Sequence, residues 1–377
     1  MGERKHIVID ARVRPAAAGA GRYVTRLLEH LQKIDTFHRY TVLLRPDDDW
    51  RPQATNFATL PCPYAQFSLN PLEQIGFARQ LYRLKPDLVH FTMTQQPLFY
   101  FGNIVTTTHD LTMFHFVRRG STTVPVFWLK MKLYRFLLFW SHLKSAKIIT
   151  PTTFVATDIA AYQPSTRDKL VVTHLATEPP IKAKAERPSM IGANEPFIMY
   201  LGAAFPHKNL EKLIAAFDIL HQKYPKLKLV LVGKKEGHYE ELERKAARHS
   251  SFQSIIFTGF LPDEQTKWLY EHVQVYVFPS LSEGFGLPGL EAMVHGAAVA
   301  SSNDTCLPEV YGSAAHYFNA QNARDIAAKV GEVLDNHQLR QTLVAHAREQ
   351  IKKFSWRHTA EETLVVYKDA LGEVNDA

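Results

Sequence analysis

The chain of 377 residues carries 46% hydrophobic and 21% charged side chains, enough apolar material for the buried cores of two domains of ordinary size. Its formal net charge of +7 suits nucleic acid, anionic membrane or anionic substrates, but the sequence carries no motif from the usual nucleic-acid-binding set. Its two cysteines, Cys62 and Cys306, lie far apart without metal-ligand spacing, which argues against a disulfide framework or zinc site and for a reduced, cytoplasmic chain.

Taken in order, Met1-Gly2-Glu3-Arg4-Lys5-His6 leads straight into a strand at 7–10 with no apolar signal-peptide region. His6 stands where a myristoylation signal asks for Ser or Thr. After Arg12, Arg14 and Pro15 comes a run holding Gly19 and Gly21, and then Tyr23, Leu27, Leu28 and Leu31 recur at helical spacing. Both glycines are therefore expected in the loop between first strand and first helix, in a Gly-x-Gly that falls short of a dinucleotide fingerprint. Residues 40–44 read as a strand and 46–63 as a loop, with Asp47, Asp48 and Asp49 as a solvated turn rather than a metal motif. A helix over 71–84 and a strand over 87–91 follow, then a strand over 104–108 that ends at His109-Asp110-Leu111. Open parallel sheets bind ligands beyond the carboxyl ends of their strands, where His109 is placed.

The stretch 127–147 predicts a helix that is apolar almost all round, with Lys130, Lys132, Arg135, Lys144 and Lys147 confined to no one face. It reads either as a buried helix or as a membrane-surface helix, with tryptophans at the interface and lysines on anionic headgroups. No uncharged apolar run is long enough to span a bilayer. A strand at 146–150, a helix from 151 and a strand at 170–174 close the first half. The aperiodic segment 177–196 reads as the linker, with the boundary near Pro180.

The second half restarts the α/β pattern. A strand at 197–201 runs into Gly202-Ala203-Ala204-Phe205-Pro206-His207-Lys208-Asn209, with Asn209 as N-cap of a helix carrying Leu213, Ile214, Phe217 and Leu220. Lys208 thus sits in a strand-to-helix turn, where an ammonium can meet a diphosphate. Strands at 228–232 and 255–259 precede Gly233 and Phe260-Leu261-Pro262. A strand at 275–278 enters Glu283-Gly284-Phe285-Gly286-Leu287-Pro288-Gly289-Leu290-Glu291-Ala292-Met293. Gly284 and Gly286 admit backbone close to a ligand, Pro288 suits a first helical turn, Glu291 is expected in that turn, and Gly296 is placed to end the helix. Amides at such a helix start hold phosphate. The two carboxylates repel phosphate and instead accept hydrogen bonds from hydroxyls. A ligand with many hydroxyls and a pyrophosphate is a nucleotide sugar. Glu309, in a further loop, reads as a helix-start charge, and a helix over 360–371 ends the pattern.

Glu283 and Glu291 in this glycine context resemble the Glu-x7-Glu signature of retaining glycosyltransferases of family 4, in the branch of mannosyl and related transferases that build bacterial surface polysaccharides. The resemblance covers the second half well and the first loosely. It implies the GT-B fold: two doubly wound, Rossmann-like α/β domains facing each other across a cleft. Residues 1–178 would bind acceptor, with a helix over 358–377 packing back on them, and 179–357 would bind donor. It also implies transfer of a hexosyl group from GDP-mannose or a UDP-sugar to a saccharide or polyprenyl-linked acceptor, with retention and with no metal or other cofactor.

Residue by residue, the resemblance makes Glu283, His109 and Lys208 the catalytic set. Lys208, in a Gly-x5-Lys-Asn pattern, meets the diphosphate. Ala203 and Ala204 stand where many relatives carry an arginine, so a second cationic clamp is missing. Gly19, Gly21, Gly202, Gly284, Phe285, Gly286 and Leu287 approach the donor, Phe260 and Leu261 lie beside the nucleobase, and Glu291 holds ribose hydroxyls. The protein is expected to be cytoplasmic, with 127–147 either buried or touching the inner membrane face. Because fold does not dictate activity, a non-catalytic nucleotide-sugar-binding protein, a sugar-nucleotide epimerase or a glycogen-synthase-like polymerase stay open as alternatives.

Overall fold

The computed structural model describes residues 3–14, 19–66, 68–116, 124–192 and 194–373. The Met1-Gly2 start and residues 15–18 of the glycine run lie outside the described residues. In chain order the first part alternates β1 (His6–Asp10), α1 (Gly19–Ile34), β2 (Arg39–Leu44), β3 (Phe57–Pro61), α2 (Pro71–Leu84), β4 (Leu88–Phe91), β5 (Ile104–Thr107), α3 (Thr112–His115), α4 (Val124–Lys144), β6 (Lys147–Thr150), α5 (Thr153–Tyr162) and β7 (Leu170–Val172). The second continues with β8 (Phe197–Leu201), α6 (Leu210–Lys223), β9 (Lys228–Val232), α7 (His238–Ala246), β10 (Ile255–Gly259), α8 (Asp263–His272), β11 (Val275–Phe278), α9 (Leu287–Val294), β12 (Val299–Ser302), α10 (Leu307–Tyr311), β13 (Ala315–Phe318), α11 (Ala323–Asp335), α12 (His337–Gln350) and α13 (Trp356–Ala370).

Two units separate: residues 1–111, 117–176 and 355–377 form one, and 112–116 and 177–354 the other. Each is built on a wholly parallel sheet. Strand residues such as Ile7, Val8, Ile9, Val89 and Phe91 are fully buried, because helices cover both faces of such sheets. The first sheet has the order β3-β2-β1-β4-β5-β6-β7 and the second β10-β9-β8-β11-β12-β13. In both, the order reverses beside the first strand, at β1/β4 and at β8/β11. Both units are therefore doubly wound and Rossmann-like, and each has one topological switch point.

In the first unit, α1 buries Tyr23, Leu27, Leu28 and Leu31, the helical stripe read from the sequence, and α13 packs against α1. His90 lies beneath, its ring nitrogens 2.6 Å from the Tyr367 hydroxyl and 2.8 Å from Thr107 Oγ1. Burial pushes its imidazole down to about 3, so the ring is neutral.

Four expectations need correction. Gly19 and Gly21 are not in a loop but in the first turn of α1. The segment expected as one long loop contains the strand β3, paired in register with β2 through Tyr40 and Phe57; Pro61 is tolerated there because β3 is an edge strand. Asp48 is no solvated turn residue: it is buried, 3.4 Å from Arg14 Nε, and accepts the Trp50 amide at 3.0 Å. Finally α4 ends at Lys144, because Lys147 already belongs to β6.

The helix α4 fits neither of its two descriptions alone. Phe127, Met131 and Leu138 are buried, while Trp128, Leu129, Phe136, Phe139 and Leu143 are exposed. Lys144 turns inward and donates to the carbonyls of Pro97 at 2.8 Å and Tyr100 at 3.1 Å, and burial lowers its ammonium to about 8. Among the described residues no helix is long and apolar enough to cross a membrane.

Candidate functional site

The second unit's switch point is where the sequence-marked residues meet. The loop after β8 ends in a 3-10 turn, Pro206–Lys208, and the loop after β11 carries Glu283. Because β8 and β11 are neighbours, the two loops lie side by side. Lys208 Nζ donates to Glu283 Oε1 at 2.5 Å, with only 16% and 12% of the side chains exposed. The ammonium also lies 5.8 Å from the Phe278 ring centroid. Asn209 takes the N-cap position of α6, as expected, but its side chain caps nothing. Held in the left-handed region at φ 59°, it donates instead to the carbonyls of Pro279 at 3.2 Å and Ala320 at 2.7 Å. That clamps the Lys208 turn to the chain beyond β11 and β13.

The Glu283 turn is braced from behind. The Glu283 amide donates to Thr305 Oγ1 at 3.3 Å. The Cys306 thiol donates to the Glu283 carbonyl at 3.2 Å; burial, then the Glu283 charge, push that thiol well above its ordinary range, so it keeps its proton. The Tyr311 hydroxyl donates to the Gly286 carbonyl at 2.5 Å. Gly286 has φ 92°, and a Cβ there would sit 2.6 Å from that hydroxyl and 2.7 Å from Leu307 Cδ2. Glycine is thus required twice over, by conformation and by space.

From this brace α9 starts with Pro288 in its first turn and with no side chain capping it. Leu287 and Phe285 are buried, the latter edge-on to Phe354 at 5.4 Å. Glu291 is the fifth residue of α9, not part of its first turn as expected, because the helix begins at Leu287. Gly202 follows β8 directly: its amide donates to the Val232 carbonyl at 3.0 Å, and its carbonyl accepts the Tyr239 hydroxyl at 3.1 Å. Phe260 is 79% exposed in the turn after β10 while its neighbour Leu261 is buried, so Phe260 alone of that pair offers a surface to a flat ligand. In the first unit, His109 stands just past β5, its Nε2 3.1 Å from the Thr92 carbonyl and its ring edge-on to Tyr23 at 5.1 Å. Burial lowers its imidazole below the ordinary value, opposed by Asp110 and the Thr92 carbonyl.

Lys208, Glu283 and the start of α9 are thus gathered in one place. Thr305, Cys306 and Tyr311, which hold them, carry no spacing signal in the sequence. An ammonium, backbone amides at a helix start and a fixed carboxylate can together receive an anionic diphosphate and orient hydroxyls.

Comparison with known proteins agrees in both halves. The family described as "Glycosyltransferase Family 4" matches residues 17–179, and "Glycosyl transferases group 1" matches 182–350. O-antigen chain mannosyltransferase B of Escherichia coli is 31% identical over 276 residues, 70% of each chain. Serotype-specific mannosyltransferase WbdA of Escherichia coli is 42% identical over 172 residues, which is 44% of this chain and only 20% of that protein. Sucrose-phosphate synthase from Thermosynechococcus elongatus shares the fold with a TM-score of 0.74 at 19% identity, over 98% of this chain and 100% of that one. Anabaena HepE, solved with UDP and glucose, has a TM-score of 0.72 at 16% identity, over 97% of this chain and 100% of that one. The fold is accordingly that of the GT-B enzymes, and the chain belongs to the glycosyltransferases of group 1 and family 4.

Proposed function

We propose that this glycosyltransferase moves a hexosyl group, mannosyl in kind, from a nucleoside-diphosphate sugar to a saccharide or lipid-linked acceptor, with retention of anomeric configuration, in the building of a surface polysaccharide. The observation that carries the reading is the meeting of Lys208 and Glu283 at the β8/β11 switch point, 2.5 Å apart, beside the start of α9. Names of relatives support the sugar: the serotype-specific relative and the O-antigen chain relative are both named mannosyltransferases.

In this scheme the donor's diphosphate takes over Lys208 from Glu283. Lys208 and the amides from Gly284 to Leu287 stabilise the charge that builds on the departing diphosphate, the electrostatic help worth most in a dry site. Released from its lysine, Glu283 orients sugar hydroxyls and favours positive charge at the anomeric carbon. Glu291 takes the ribose hydroxyls, Phe260 and the turn at Leu261 meet the base, and Gly202 admits the phosphates. His109, with its lowered imidazole, and Gly19 and Gly21, at the start of α1, enter this reading through the family resemblance alone. The cationic work falls to Lys208 rather than to a metal. The exposed apolar side of α4, with Lys130 and Lys132, rests on anionic membrane.

The test is a panel of GDP- and UDP-sugars scored by thermal shift, since a ligand of the folded state raises its melting temperature. The matching donor is expected to shift the protein and to yield a glycoside whose anomeric NMR signal shows retention. Glu283→Ala is expected to bind that donor but to lose turnover about 100-fold or more. An inverted product removes retention, and nucleotide release without a new glycoside removes transfer.

A further inference from the structure

The loop after β12 holds a threonine in a conformation that threonine avoids. Three non-glycine residues among those described have positive φ: Lys85 at 47°, Asn209 at 59° and Thr305 at 56°. Lys85 closes α2 as its left-handed cap, and asparagine tolerates that region. Thr305 is β-branched, and for such a side chain the left-handed region crowds Cβ against the backbone. Glycine would sit there at ease.

The surroundings keep Thr305 where it is. Before it, the Asn303 amide donates to the Phe318 carbonyl at 3.0 Å and the Asp304 amide to Ser302 Oγ at 3.0 Å. After it, Cys306 and Leu307 are fully buried, and the Leu307 amide donates to the Asp304 carbonyl at 3.3 Å. Strain that neighbours over-determine in this way gathers at functional sites.

What the conformation delivers is a hydroxyl. Strand β12 pairs in parallel with β11, so the loops that follow them lie side by side, and Thr305 Oγ1 accepts the Glu283 amide at 3.3 Å. The next residue grips the other end of Glu283, with the Cys306 thiol donating to its carbonyl at 3.2 Å. A thiol is a weak donor, so the hydroxyl is the firmer of the two holds. The hold matters because Gly284 and Gly286 follow, and glycine backbone takes many conformations unless it is restrained. The Glu283 carboxylate stands 2.5 Å from Lys208 Nζ, and that meeting shifts with the Glu283 backbone. Glycine at position 305 would relieve the strain but bring no hydroxyl, and valine would keep the shape but bring none either.

We infer that Thr305 is a positioning residue for glycosyl transfer: its hydroxyl, held out by a left-handed backbone, fixes the Glu283 amide and through it the carboxylate beside Lys208. The inference rests on the glycosyl-transfer reading of Glu283, and it separates stability from turnover at one position.

The test uses the full chain and three variants. Its readouts are glycoside formation from GDP-mannose or UDP-glucose onto octyl α-D-mannopyranoside, melting temperature, and hydrogen exchange at the Glu283 amide. T305V keeps the shape and the strain and loses the hydroxyl; its kcat is expected to fall at least about tenfold, with KM for the nucleotide sugar changed far less. T305S keeps the hydroxyl and is expected to restore most of the turnover. T305G loses hydroxyl and strain together, so it is expected to melt above T305V and yet to turn over as slowly. A role in packing alone would instead make turnover follow melting temperature. Exchange at Glu283 should quicken in T305V and T305G and stay slow in T305S. Should T305V fold poorly, T305G and T305S decide. A T305V as fast as the parent, a T305S as slow as T305V, or a T305G that regains turnover overturns the inference. A parent that forms no glycoside tells against the transfer reading for those sugars instead. Exchange quickened in T305V and T305G but not in T305S then still supports the hold of Thr305 on Glu283, and equal exchange in all of them overturns it.

Discussion

The Lys208–Glu283 pair is held by geometry on both sides, and that makes it measurable. With 16% and 12% exposure it is neither a surface pair worth little nor a dry one. Removing one partner should leave the other poorly paired. Lys208→Ala and Glu283→Ala are each expected to destabilise the second unit, and the double variant less than their sum, with a coupling of about 1–3 kcal/mol. Additive losses in denaturant titrations count against the pair. In turnover, Lys208→Ala should cost about 100- to 1,000-fold if the ammonium faces the leaving diphosphate. The brace offers a subtler case. Tyr311→Phe removes the bond to the Gly286 carbonyl, a net loss of about 1 kcal/mol. Since the Tyr311 hydroxyl bonds to backbone and not to a titrating side chain among the described residues, kcat should fall while the pH profile stays in place. An unchanged kcat leaves Tyr311 a packing residue and nothing more.

At the scale of elements, α4 carries the most contradictory pattern. A helix that hides Phe127 and Leu138 yet exposes Trp128, Leu129 and Phe136 has apolar groups on opposite sides. Its inner side is accounted for by packing in the first unit, and its outer side by none of that. W128S/L129S changes two exposed residues and is expected to leave the melting temperature within a degree or two. Co-sedimentation with vesicles containing phosphatidylglycerol should fall several-fold, and wild-type binding should weaken with salt as headgroup attraction is screened. Sedimentation that is absent in the wild type, or equal in the variant, removes the membrane from the proposal. The turn before α9 makes the converse point: Gly286 and Pro288 announced a strand-to-helix corner in the sequence, but where α9 begins moved Glu291 out of its first turn.

At the scale of the molecule, the first unit should be the acid-sensitive one. Burial lowers His90 to about 3 and His142 to about 4, the latter helped by the charge of Lys169. Both are neutral when folded, while in the unfolded chain they take up a proton below about 6.5. Their contribution to stability is therefore complete above that pH and is lost as pH falls through the window from 6.5 to about 4 for His142 and to about 3 for His90. The slope is about 1.4 kcal/mol per pH unit for each group. His142→Gln can keep a bond to Thr108 Oγ1, which lies 2.8 Å from His142 Nε2, while removing the titration. Its acid-unfolding midpoint should move to lower pH; an unmoved midpoint shows that another group sets the transition.

The sequence by itself determined the alternation of strands and helices and the motif from Glu283 to Met293, because these depend on periodicity and on glycine and proline at fixed offsets; the two doubly wound halves were implied by the family resemblance. It identified Lys208 and Glu283 separately, 75 residues apart. Similarity to known proteins then placed the chain among the glycosyltransferases of group 1 and family 4. Only the tertiary structure decided that Lys208 and Glu283 bond to each other, since strand order, not spacing, makes β8 and β11 neighbours. It alone turned Asp48 inward to Arg14, found β3 as an edge strand in a proline-rich stretch, and set Thr305, Cys306 and Tyr311 behind the Glu283 turn. Short polar side chains reaching across a sheet leave no periodic trace, and their partners are chosen by the packing of distant segments.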